Sequence, residues 1–238
     1  MKKYEFTKET KTLADGTVLH RIRALRDIPR YGVKAGDLGG LIEKENNLSQ
    51  DGDAWVCGNA KVYGNAEVSG NAGVYGDGCV SGNAEVSGNA GIYGDAWVSG
   101  NAGVYGDAWV YGNAWVYGNA KVSGNAEVSG NAGVYGNAKV YGNAKVYGDA
   151  EISGDAEVSA DSDYMVIKNT WSNGRWFTYT RSNKKWAVGC FFGTGEELIK
   201  KAYKDSKLSG KCYEAIVHAV ETIEAAKAEA KGETDGSK

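Results

Sequence analysis

The sequence predicts a mainly β protein built around a parallel β-helix, and three observations predict it. Eighteen six-residue repeats run unbroken from Gly52 to Ser159. Each reads Gly-[Asn/Asp]-Ala-x-[Val/Ile]-x, as in Gly58-Asn59-Ala60-Lys61-Val62-Tyr63, and only Gly78 replaces the Ala. Inside each repeat the apolar spacing is two, which is the period of a strand and not of a helix. A short fixed period means one unit stacked on itself.

The elements follow in chain order. Residues 1–51 read as a small β cap. Tyr4-Glu5-Phe6-Thr7 alternates as a strand, and Asp15-Gly16 is a hairpin turn between Lys11–Leu13 and Val18–Leu25. A repeat stack needs its open ends covered, because bare strand edges invite further pairing. In residues 52–159 each hexad is a short strand plus a Gly-Asn or Gly-Asp corner. Three hexads make one triangular coil, so the array makes six coils, roughly 29 Å in length at about 4.8 Å per coil. Ala and Val fill a narrow, close-packed interior with little room for a ligand.

Residues 160–231 change character to an α+β module. Strands at Tyr164–Ile167 and Trp176–Tyr179 flank Asn173-Gly174, and a second hairpin runs from Tyr179 to Phe192, turning near Ser182–Lys184. Thr194-Gly195-Glu196-Glu197 is a capping box opening a helix with Leu198, Ile199, Ala202 and Tyr203 on one face. A second helix spans about Lys211 to Ala230, with Tyr213, Ile216, Val217, Val220 and Ile223 at helical spacing. Cys190 lies in an apolar run and reads as core, and residues 232–238 read as a disordered tail.

Positions eighteen apart stack, so the two variable positions of each hexad form outward columns. One face carries Trp55, Tyr75, Tyr93, Trp109, Tyr111 and Tyr147, with Gly73 and Gly91 expected to leave a trough. The next carries Trp97 and Trp115 on adjacent coils, and the third is mostly Ser and charge. Stacked aromatics stabilise a sheet laterally, but a solvent-facing aromatic patch of this size usually marks an interface. Those eight aromatics are therefore the candidate binding residues.

The array resembles the hexapeptide-repeat β-helix family, through the aliphatic fifth and small third positions over 108 of 238 residues. The resemblance implies a left-handed coil, where crossover rules alone favour the right hand. Leu19–Leu25, Gly36–Gly40 and Asn47-Leu48-Ser49 look like the start of a bacterial and bacteriophage subgroup often labelled acyltransferases by fold. Enzymes of this family use a His as general base and bind acyl-CoA in a groove between subunits. Here the only histidines, His20 and His218, lie outside the repeats, and no loop interrupts the array. The expected function is accordingly a non-catalytic scaffold of phage or prophage type. Its aromatic face would serve self-assembly into a homo-oligomer or binding of a host protein, including a defence component. The alternative is an acyl-CoA-dependent acyltransferase.

Charge and cysteines narrow the classes. Residues 1–51 carry ten Lys and Arg against eight Asp and Glu, residues 52–159 four against eleven, and residues 160–238 thirteen against eleven. No segment is basic enough for a nucleic-acid groove. Arg21 and Arg23 share one side of a strand, with Arg26 and Arg30 following, which suits an anion, an acidic partner or a solvated edge. Cys57, Cys79, Cys190 and Cys212 form no Cys-x-x-Cys pair, so no metal or cofactor is expected, and a reducing cytoplasmic setting is the simplest reading. Neither a signal peptide nor an 18-residue apolar run is recognisable, so no membrane span is expected.

Overall fold

The computed structural model describes residues 2–235. Their contacts divide them into two units. The first runs to Tyr164 and includes Thr180–Asn183, and the second comprises Met165–Tyr179 and the residues from Lys184 on. The turn at Thr180–Asn183 thus belongs with the array and not with the module that surrounds it in sequence.

The first unit is a parallel β-solenoid of about seven turns, one more than the eighteen hexads supply. The extra turn comes from the leader. Leu41 and Ile42 pair in parallel with Lys61 and Val62, and Leu48 bridges in parallel to Val68. Residues 41–51, expected as part of the cap, therefore already follow the path of the coil. The remaining cap is antiparallel: Tyr4–Thr12 pairs with Val18–Ala24, which pairs with Leu38–Ile42. Asp15 closes the hairpin by accepting the Thr17 N–H at 2.9 Å.

Every rung bonds to the next in the same sense. Trp97 N–H donates to Ala114 O at 2.9 Å, Ser99 N–H to Val116 O at 2.9 Å, and Asn101 N–H to Gly118 O at 2.7 Å. The alternating groups of a strand make this possible, and the tight corner keeps register from turn to turn. Gly112 shows why the corner needs glycine. Its φ is +71°, and an added Cβ would lie 3.1 Å from the nitrogen of Gly130 one turn on. The Ala and Val columns are fully buried, as their period-two spacing requires.

Uniform polarity leaves carbonyls bare at the N-terminal end of the stack and N–H groups bare at the other. Each end is met by the opposite chemistry. At the start, Arg21 donates to Gly58 O at 3.0 Å, Arg26 to Gly52 O at 2.6 Å, and Asn47 to Ala66 O at 2.8 Å. At the finish, Lys145 N–H donates to Asp161 at 2.7 Å, Glu157 N–H to Ser182 Oγ at 2.7 Å, and Ser159 N–H to Asp163 at 2.8 Å.

The second unit is built on a four-stranded sheet, in the order Tyr164–Lys168, Trp176–Thr180, Lys185–Val188, Phe191–Gly193, of which the end residues Tyr164 and Thr180 count with the first unit, and on two helices. Helix α1 spans Gly195–Asp205, and its capping box is formed: Thr194 and Glu197 exchange hydrogen bonds of 2.8 and 3.2 Å. Helix α2 spans Lys207–Asp235, longer at both ends than its apolar spacing suggests. Residues 232–235, expected in a disordered tail, continue this helix, and 236–238 lie outside the described residues. Phe177, Trp186, Leu198, Tyr213, Val217 and Val220 form the core. Ile223 is exposed and not core, three residues beyond Val220, which is buried. Cys190 is also exposed, because it occupies the turn after Gly189 and not a strand.

Candidate functional site

The variable positions stack in register, as the eighteen-residue spacing requires. Trp97 pairs with Trp115, Gly91 with Trp109, and Gly73 with Trp55. The eight candidate aromatics nevertheless fall into two groups.

Trp55 is not a surface residue. It is 0% exposed, sealed under Gly39 and Ile22 of the cap. A Cβ on Gly39 would lie 2.7 Å from the indole, so the glycine is the seat on which Trp55 rests. Its Nε1–H has no partner. Tyr75 is half-buried beside Tyr31 of the cap, with ring centroids 5.5 Å apart, while Tyr31 donates a short hydrogen bond to Asn71 O. Burial pushes the Tyr75 phenol above its ordinary range. Both residues were lost to the cap because column position says nothing about what another segment lays over it.

The other six remain solvent-facing or partly so. Tyr93 and Tyr111 stack at 4.9 Å with planes 3° apart, and Trp109 meets Tyr93 edge-on at 5.8 Å. Tyr111 donates to Glu127 at 3.1 Å, and Lys145 pairs with Glu127 at 3.2 Å. Tyr147 is 59% exposed and meets Tyr164 edge-on. On the neighbouring face Trp97 is 48% and Trp115 57% exposed. With Ser99 and Tyr117 they line a shallow depression of about 150 Å³. Trp97 is anchored by donating its Nε1–H to Ser81 Oγ at 3.2 Å. Tyr117 stacks on Tyr135 at 5.0 Å, a pair the sequence reading did not single out. Two residues of the same type one turn apart were the available signal.

The expected trough at Gly73 and Gly91 is absent. The Tyr75 ring lies over Gly73 and the Trp109 ring over Gly91, where a Cβ would collide with them. Glycine at these positions is a floor for an aromatic ring, and the face is filled.

The candidate catalytic groups are not assembled into a site. His20 lies in Val18–Ala24 with its ring against Phe6 at 5.1 Å, and His218 is exposed on α2. Among the described residues no carboxylate pairs with either. Cys79 is half-buried and donates weakly to Tyr63 Oη at 3.8 Å, and burial pushes its thiol up, away from a thiolate. Of the four arginines considered for an anion site, Arg21, Arg23 and Arg26 pair with Glu9, Glu5 and Asp53, and the Arg30 guanidinium lies over the Tyr31 ring at 5.9 Å. Arg21 and Arg26 also cap rung carbonyls, so that set is engaged in holding the end of the coil. No group of His, Cys, Asp or Glu suited to a metal ion occurs among the described residues, and none of their helices is long and apolar enough to cross a membrane.

Fold and surface together define a repeat protein of the parallel β-solenoid class, with ordered aromatic columns on two of its faces. The chain matches no protein-family model, and no curated protein matches it.

Proposed function

We propose that this protein is a non-catalytic binding scaffold whose exposed aromatic columns dock a protein partner or a second copy of the chain. The observation that carries the reading is the in-register pair Trp97 and Trp115, about half exposed and lining one depression with Tyr117. Large rigid aromatics held on a sheet cost little entropy when they bind, and such groups dominate interface energetics. Trp109, Tyr93, Tyr111 and Tyr147 extend the surface around one corner of the coil.

We further infer a left-handed coil of the hexapeptide-repeat kind. The six-residue period with small third and aliphatic fifth positions supports it. The leader residues Leu19–Leu25 and Gly36–Gly40 support a place among bacterial and bacteriophage proteins of that kind, working in the cytoplasm, where four free thiols are at home.

Tyr93→Ala with Trp109→Ser tests the scaffold reading. The double variant is expected to keep its circular dichroism while losing self-association in light scattering, or losing capture of the partner that wild type holds. Unchanged mass together with unchanged capture would count against it. Calorimetry with CoA and acetyl-CoA probes the enzymatic alternative, and saturable heat at millimolar ligand would favour that alternative.

A further inference from the structure

Apart from Tyr147, the exposed aromatic candidates sit in a stretch of chain without positive charge. Between Lys61 and Lys121 there is no Lys, Arg or His, while Glu67, Asp77, Glu85, Asp95 and Asp107 supply five carboxylates. The three most exposed tryptophans of the array, Trp97, Trp109 and Trp115, all fall inside this interval. In the later turns of the array Glu127 pairs with Lys145, and Glu157 with Lys139.

Position within the turn brings the two features together. Asp77 and Asp95 occupy the corner between the two aromatic faces on adjacent turns, since Asp77 N–H donates to Gly94 O and Asp95 N–H to Gly112 O. The turns there read Tyr75-Gly76-Asp77-Gly78-Cys79, Tyr93-Gly94-Asp95-Ala96-Trp97 and Tyr111-Gly112-Asn113-Ala114-Trp115. Both aspartates are exposed, and among the described residues neither carboxylate has a basic or hydrogen-bonding side-chain partner. At another corner the second-position amides satisfy one another: Asn65, Asn83, Asn101 and Asn119 each donate to the next in the column, ending at Asn137, over 2.9–3.1 Å. The Asp77–Asp95 step breaks that pattern and stacks two anions beside the aromatic columns.

Resting on the docking reading above, the geometry points to a partner that presents cationic side chains, an arginine- or lysine-bearing protein segment, to the corner formed by Asp77, Asp95, Tyr93, Trp97 and Trp115. A guanidinium lies well on an indole or phenol face, and the adjacent carboxylates supply the charge. An acidic segment or a nucleic-acid backbone would meet uncompensated negative charge at the same place.

Labelled oligoarginine, oligoglutamate and neutral Gly-Ser peptides, titrated by fluorescence anisotropy at low salt, test this on the full chain. Oligoarginine is expected to bind and the other two to fail. Asp77→Asn with Asp95→Asn, and separately Trp97→Ala with Trp115→Ala, should each weaken binding by about tenfold. Asn already serves at this repeat position, so the first variant keeps the corner. Glu67→Gln with Glu85→Gln removes the same two charges from the third face, and there affinity should hold within about twofold. No binding of oligoarginine, or an equal loss in the Glu variant, overturns the proposal, the latter because it would reduce the effect to net charge. If oligoarginine fails to bind while Trp97→Ala with Trp115→Ala still dissolves an assembly seen by light scattering, the cationic partner is wrong and the docking face stands.

Discussion

Single side chains in this protein are judged by what the turns above and below them offer. The asparagine columns are the clearest case. Asn101 receives a hydrogen bond from Asn83 and donates one to Asn119 at 3.0 Å, so each amide uses its oxygen on one side and its nitrogen on the other. Aspartate fits the C-terminal end of such a column, where it only accepts, as Asp149 does from Asn131 at 3.2 Å. Asn101→Asp in mid-column keeps the acceptor and loses the donor, leaving two acceptors facing each other. A loss of about 1 kcal/mol in denaturant unfolding is expected. Trp55 makes a second test. Trp55→Ala should cost about 3–5 kcal/mol, because a fully buried indole is removed. Trp55→Phe should cost well under half of that, since it also removes a buried N–H that has no partner. Equal losses in the two variants would show that the indole is not packed as described.

At the scale of elements, the governing fact is the polarity of the rungs. The N–H groups that bond between turns, those of the second, fourth and sixth positions, all donate toward the next turn, so the two ends of the solenoid require opposite caps. Arginine and asparagine side chains donate at the first end, and aspartate and serine accept at the second. The arrangement also covers edges that would otherwise pair with another chain. Arg21→Ala and Asp161→Ala should each cost about 1.5–3 kcal/mol, the range for hydrogen bonds to charged groups, discounted where the side chain is exposed. Amide exchange locates the effect: Asp161→Ala should speed exchange at Lys145 and leave Trp97 protected. Uniform acceleration along the whole array would argue against end capping.

For the molecule as a whole, pH dependence gathers at the cap. Lys3 is buried, and burial, with Arg26 adding repulsion, pushes its ammonium down to about 8, partly offset by Asp53 and Asp51. The unfolded chain, with an ordinary lysine, binds more protons than the folded chain between about pH 8 and 10.5. Stability of the first unit is therefore expected to rise across that window and to level off below it, where both states are charged. Burial pushes the phenols of Tyr75 and Tyr135 up, so above pH 10 the unfolded state ionises first and stability falls again. Protection of the Leu25 amide, which donates to Lys3 O at 2.8 Å, measured against pH in wild type and in Lys3→Met, checks the sign. The rise should be missing from the variant.

How much of this was legible beforehand depends on whether the information was local. The six-residue period by itself determined the strand-and-corner unit, the buried Ala and Val columns and the registry of outer residues eighteen apart, and local turn and cap residues determined the hairpins and capping box that flank the array. Each follows from neighbours within one repeat or one turn, where stereochemistry leaves few choices. Tertiary structure alone decided that Leu41, Ile42 and Leu48 begin the coil, that Trp55 and Tyr75 belong to the cap, that rings fill the glycine positions, and that Cys190 faces solvent. Those outcomes depend on which distant segment covers which surface. Periodicity is blind to that, because a repeat specifies its own neighbours and not what closes over them.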